Sequence, residues 1–182
     1  MITISRRYFA LLALALAACG QGGINSSRED LDASVRAAQN ALYASVPNAR
    51  EVAARAAGVL IMPSVTEGGL FVGGAYGEGA LLIGDAPVEY FSVASASFGL
   101  QAGFQKASQA LFFMTPDALA NFRTTDGWSA GAETKYVFQE DAASFGVSTD
   151  TVNLPVYAIV FAQSGILAGA TIEGAKYSRI IR

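Results

Sequence analysis

From Val59 to the C-terminus the chain carries no apolar run long enough to cross a membrane, only short ones punctuated by glycine, proline and serine. Such runs predict β-strands, because a strand needs four to eight residues to cover a core while a buried helix needs ten or more. The first, Val59 to Met62, is expected to stop at Pro63 and Ser64. Residues 68–79, GGLFVGGAYGEG, are glycine-rich. Three β-like runs follow at Tyr90 to Phe104, Ala110 to Met114 and Ala130 to Phe138. The densest stretch, Val156 to Ala162, suits a buried strand. It opens a last pair, Val156 to Gln163 and Ile166 to Ile172, separated by Ser164-Gly165, a two-residue hairpin signal. Small residues dominate YFSVASASFGLQAGF: Ser95, Ser97, Gly99 and Gly103 fall on one face, and Ala94, Ala96, Phe98, Leu100 and Phe104 on the other. Strands of this composition allow close backbone approach and strong coiling.

Helices precede this region. Ser26-Ser27-Arg28-Glu29 reads as a capping box with Ser26 at the N-cap. Leu31, Val35, Ala38, Leu42 and Val46 then form one apolar stripe, ended by Pro47. A second helix is expected from Pro47 to Ala57, stopped by Gly58 and exposing Arg50, Glu51 and Arg55. Because the polar faces mix acidic and basic residues, both stripes are expected to dock on the core. One short helix, Pro116 to Phe122, interrupts the strands, with Thr115 as N-cap and Pro116 at its first position. The predicted class is α+β: two N-terminal helices, then a mostly antiparallel, coiled or partly closed β-sheet with one short helical insertion.

The N-terminus is of a different kind. Arg6 and Arg7 precede an uncharged apolar stretch, Tyr8 to Ala18, of signal-peptide length and too short for a spanning helix. It ends in Leu-Ala-Ala-Cys-Gly, which resembles the lipobox of bacterial lipoproteins, in which the cysteine is acylated and becomes the new N-terminus. Cys19 is the only cysteine, so no disulfide can form within one molecule. Ser5-Arg6-Arg7-Tyr8-Phe9 resembles the twin-arginine export motif, a general secretory n-region being the alternative. The expected organisation is a signal peptide over 1–18, a lipidated tether over 19–25 and one domain over 26–182. The expected location is the bacterial cell envelope, lipid-anchored on the periplasmic side. Gly20 stands where an aspartate retains some lipoproteins in the inner membrane, which favours the outer one.

Removing the signal leaves ten cationic against fifteen acidic side chains, a net charge of −5. That balance argues against nucleic acid as a partner, since neutralised phosphates supply most of such affinity. The chain has no histidine, and acylation would consume its one thiol. The usual general base, metal ligand and thiolate nucleophile are therefore missing, and no catalytic residue, cofactor or metal is expected. The glycine-rich segment lacks the Gly-Lys-Ser/Thr of a phosphate loop, and Glu78 would repel a phosphate. No Gly-x-Ser-x-Gly elbow is present. Glu140-Asp141 reads as a solvated turn.

Four blocks carry a resemblance: GVLIMPSVTEGGLFVGGAYGEGALL from Gly58, YFSVASASFGLQAGFQ from Tyr90, LFFMTPDALANFRTTDGW from Leu111 and LPVYAIVFAQSGILAGATIEGAKYSRI from Leu154. In this order they resemble the SYLF domain, over about Pro47 to Arg182. The resemblance implies a non-catalytic module that binds membrane lipid, of the phospholipid or phosphoinositide type. The other reading is an envelope adaptor or structural protein that binds a second protein through its exposed sheet. Candidate lipid-headgroup contacts are Lys176, Arg179 and Arg182, in a segment whose only acidic sequence neighbour is Glu173. In a strand, Lys176 and Arg182 share one face and Arg179 takes the other.

Overall fold

The computed structural model describes residues 27–70, 72–98, 103–130, 134–138, 154–165 and 174–182. The first helix, α1 (Arg28–Ser45), is capped by Ser27, whose hydroxyl accepts from the Asp30 amide and donates to the Asp30 carboxylate. The cap therefore lies one residue beyond the expected Ser26, which is outside the described residues. Asp30, at the third helical position, takes the place expected of Glu29 and meets the cap through the Ser27 hydroxyl. All five stripe residues are buried. Helix α2 (Ala49–Arg55) is shorter than expected. Gly58 does not stop it: that glycine opens the first strand, and a Cβ there would stand 3.1 Å from Leu119.

Among the described residues, eight strands form one sheet in the order β5-β8-β3-β2-β1-β4-β7-β6. They are β1 (Gly58–Leu70), β2 (Val72–Ile83), β3 (Ala86–Phe98), β4 (Gly103–Phe113), β5 (Trp128–Ser129), β6 (Thr134–Phe138), β7 (Val156–Gly165) and β8 (Lys176–Ile180). All pairs are antiparallel except β6 with β7, which is parallel. Helix α3 (Pro116–Thr124) keeps the expected cap, the Thr115 hydroxyl accepting from the Ala118 amide, and runs two residues further than expected.

Several expected breaks are absent. Pro63 and Ser64 do not end β1; a bulge between Ile61 and Val65 carries the strand past them. Proline has no amide to give to a ladder, and a bulge is where a sheet tolerates that loss. The Ser108 hydroxyl donates to the Pro63 carbonyl at 2.8 Å. Ser164-Gly165 is not a hairpin turn either. Both residues continue β7 and pair with Lys106 and Gln105 of β4, after a shift in register that Ala162 accommodates at φ 50°. Conversely, Tyr90 to Phe104 is not one strand but the end of β3 and the start of β4. Of the run expected over Ala130 to Phe138, Thr134–Phe138 is strand and residues 131–133 lie outside the described residues. Residues 139–153 and 166–173, with Glu140, Asp141 and the expected strand at Ile166 to Ile172, lie outside the described residues.

Each sheet face has its own core. On one, α1 and α2 cover Val59, Ile61, Ala80, Leu82, Phe112, Tyr157 and Ile159. On the other, Leu60, Met62, Leu81, Phe91, Leu111, Phe113 and Tyr177 close on Phe122 of α3. The second face is concave. Strands β8 and β4 are separated by three others, so in a flat sheet their axes would lie about 19 Å apart. Yet the Tyr177 hydroxyl donates to Gln109 Oε1 at 3.1 Å across that face. The sheet is thus curled into a half-barrel, plugged by Phe122, whose ring centroid lies 4.5 Å from Phe91 and 4.6 Å from Phe113. Two glycines make room for the bulge. A Cβ at Gly79 would collide with the Ile61 carbonyl and stand 2.6 Å from Met62 Sδ; one at Gly77 would stand 2.6 Å from the Ser64 carbonyl oxygen. The bulge marks a boundary on the convex face: before it the strands are packed on both faces, and beyond it Val65, Val93 and Ala107 still pack on the concave side while the convex side is rich in small residues and uncovered.

Candidate functional site

Where the strands outrun the helix, a cleft opens on the convex face. Its volume is about 1170 Å³. Leu31, Ser34, Ala37 and Ala38 of α1 form one wall, and Thr66, Gly68, Gly74, Tyr76, Glu78, Phe104 and Lys106 of β1, β2 and β4 form the other. These strand residues share the face because β1, β2 and β4 alternate in register: Gly68 opposes both Gly74 and Phe104. Phe104 lies against Gly68, whose missing side chain leaves it a flat seat. It remains 58% exposed, and Tyr76 44% exposed, unusual for aromatics lining a concavity. Lys106 is exposed at the rim.

The polar groups around the cleft are tied to one another. Tyr76 donates to Glu78 Oε1 at 2.7 Å, and the Arg182 guanidinium pairs with Glu78 Oε2. The bond to Glu78 raises the Tyr76 pKa above the ordinary phenol value. Beside the first turns of α1, Arg28 Nε donates to the Tyr90 hydroxyl, which donates to Asp32, both at 2.9 Å. Burial, then the bond to Asp32, pushes the Tyr90 pKa up. This pair fastens α1 to β3, leaving the cleft as the uncovered remainder.

The C-terminal cations do not form one free cluster. Lys176 is exposed. Arg179 pairs with Glu89 at 3.1 Å and donates to the Arg123 carbonyl at 2.8 Å, while Arg182, past the end of β8, pairs with Glu78. Their acidic partners come from β3 and β2, not from the sequence neighbour Glu173, which lies outside the described residues. Glu89 also accepts two bonds from Arg123, at 2.9 and 3.0 Å, and these hold its carboxyl below the ordinary glutamate value. Arg6, Arg7 and Cys19 lie outside the described residues.

A second hollow, of about 520 Å³, lies between α3 and the strands β5 to β7 and is lined by Asp117, Asn121, Thr125 and Trp128 among others. Among the described residues, no group of three His, Cys, Asp or Glu is placed to hold a metal ion, and no helix is long and apolar enough to cross a membrane. Sequence reasoning missed Tyr76, Phe104 and Lys106. A signal was available: no charged residue stands between Glu67 and Glu78 or between Glu89 and Lys106. The chain matches no protein-family model and no curated protein.

Proposed function

We propose that this chain is an envelope lipoprotein, held by lipid on Cys19 at the periplasmic side of a membrane, whose SYLF-like domain binds membrane lipid and performs no catalysis. The observation that carries the reading is the open cleft beside the first turns of α1, walled on one side by apolar helix residues and on the other by glycine-rich strands with two exposed aromatics. Ser27 lies eight positions beyond Cys19, a reach of at most about 28 Å. A lipid on Cys19 would therefore keep the cleft near the bilayer and raise its effective concentration there. Lys106 at the rim and Lys176 on β8 are the exposed cations best suited to meet a phosphate headgroup. Arg179 and Arg182 bring Glu89 and Glu78 with them and add less.

An envelope protein is the second candidate partner, favoured by the exposed positions Ala94, Ala96 and Phe104 beyond the bulge. Vesicle flotation of the processed chain carrying Cys19→Ser decides between the two. Lipid binding predicts that the unanchored chain floats with phospholipid vesicles; a chain that stays at the bottom of the gradient favours the protein partner. The same variant tests the anchor, since it should be released from membranes that retain the parent.

A further inference from the structure

We infer that the uncharged far end of the half-barrel, where the β1–β2 hairpin and the flanking ends of β3 and β4 run beyond the bulge, is the surface that enters the bilayer interface, with Phe104 as its leading described side chain. The inference rests on the lipid-binding reading and adds the orientation of the domain on the membrane.

Register brings the ends of several strands together at one end of the sheet. Leu70 pairs with Val72, Val72 with Phe98, and Gly69 with both Gly73 and Gly103. Strand β7 reaches the same end, its Gly165 opposite Gln105. These strand ends belong to stretches with no charged residue: 68–77, 90–105 and 151–172. A solvated sheet end ordinarily carries charges, because they keep exposed strands from pairing with other chains. Here the chain uses Gly, Ala, Ser and apolar residues in their place, and Phe104 is 58% exposed.

The end has the layering of an interfacial segment. Lys106 and Glu67, on adjacent strands, are the last charges before it, and Leu70 lies four residues beyond Thr66, the partner of Lys106. At about 3.3 Å per residue that is about 13 Å, enough for the headgroup layer and the roughly 5–10 Å over which interfacial segments bury apolar side chains. Tyr76, 44% exposed, stands nearer the bulge, at a depth where aromatics with a polar tip favour the interface. Lys106 would sit among the phosphates. A bilayer is favoured over a second copy of the chain because uncharged stretches of neighbouring strands end together here, with Glu67 and Lys106 as the last charges before them.

The test uses the anchored protein, reconstituted through its Cys19 lipid in phosphatidylcholine vesicles containing brominated acyl chains. Phe104→Trp in a Trp128→Phe background should be quenched several-fold more strongly than Trp128 in the parent. Equal quenching at the two positions would overturn the inference. In the Cys19→Ser chain, Phe104→Glu should weaken binding to neutral vesicles at least tenfold without lowering the Tm, whereas Phe104→Leu should retain it. Vesicle binding indifferent to Phe104→Glu would overturn the orientation and leave lipid binding standing. Absence of vesicle binding by Cys19→Ser would overturn the lipid reading and this inference with it. A concentration-dependent dimer in lipid-free solution, abolished by Phe104→Glu, would assign the surface to a second copy instead.

Discussion

The two halves of the sheet are built from the same strands and obey different rules. Before the bulge, Leu60, Ile61, Met62, Leu111, Phe112, Phe113 and Tyr157 to Ile159 are fully buried, consecutive residues facing alternately the helices and the plugged concave side. Beyond it, Val65, Val93 and Ala107 still pack on the concave side, but on the convex side β1 and β2 carry Thr66, Gly68 and Gly74, and Phe104 and Tyr76 stand exposed. Burying a large apolar side chain contributes about 1.5–3 kcal/mol, so the first half, packed on both faces, accounts for most of the stability and the convex side of the second adds little. A chain that needed only to fold would have no use for twelve-residue strands half of which lie open. The difference points to a sheet in which one half is a support and the other a presented surface.

The comparison can be broken by substitution. The largest effect should come from Phe122→Ala, which removes the ring plugging the half-barrel and should cost about 3–5 kcal/mol by denaturant unfolding. Gly79→Ala, at the boundary, forces a Cβ into the Ile61 carbonyl and should cost about 1–3 kcal/mol. A smaller effect is expected from the ion pairs that clamp α3 and β8 to β3. Because Arg123 holds the Glu89 carboxyl below its ordinary value, this stability is present above the unfolded glutamate pKa of about 4.3 and is lost as pH falls through the lower folded value. Glu89→Gln should therefore lower the Tm at pH 7 and flatten its fall on acidification; an unchanged acid profile would show the clamp to be idle. The smallest effect belongs to the far half: Gly68→Ala, whose Cβ would make ordinary contact at 3.4 Å with the Phe104 ring, should change stability by less than about 0.5 kcal/mol. A large loss there would erase the distinction between the halves.

What the sequence made legible was local. The α1 stripe and the Thr115-Pro116 start of α3 depend on neighbours within one or two turns, and both stand in the structure. The curled, mostly antiparallel sheet could be anticipated from the density of small residues. Misreadings arose where a local rule met a distant partner. Pro63 signals a strand end, but Ser108 and the glycines of β2 make a bulge of it. Ser164-Gly165 signals a turn, but Lys106 and Gln105, nearly sixty residues earlier, extend the ladder through it. Arg182 looked unopposed until the fold set it beside Glu78, 104 positions away. The cleft escaped notice for a similar reason: its walls come from residues 31–38, 66–78 and 104–106, and only the missing charges hinted that these belong together.

Hydrogen exchange of the Cys19→Ser chain, with and without phosphatidylcholine vesicles, reports which half of the sheet meets the bilayer. Exchange should slow on adding vesicles in residues 66–70, 72–77, 94–98 and 103–106, with residues 107–113 and 156–161 already protected and unchanged. Protection centred on α3 or β8, or no change in the far half while the chain is bound to vesicles, would contradict it.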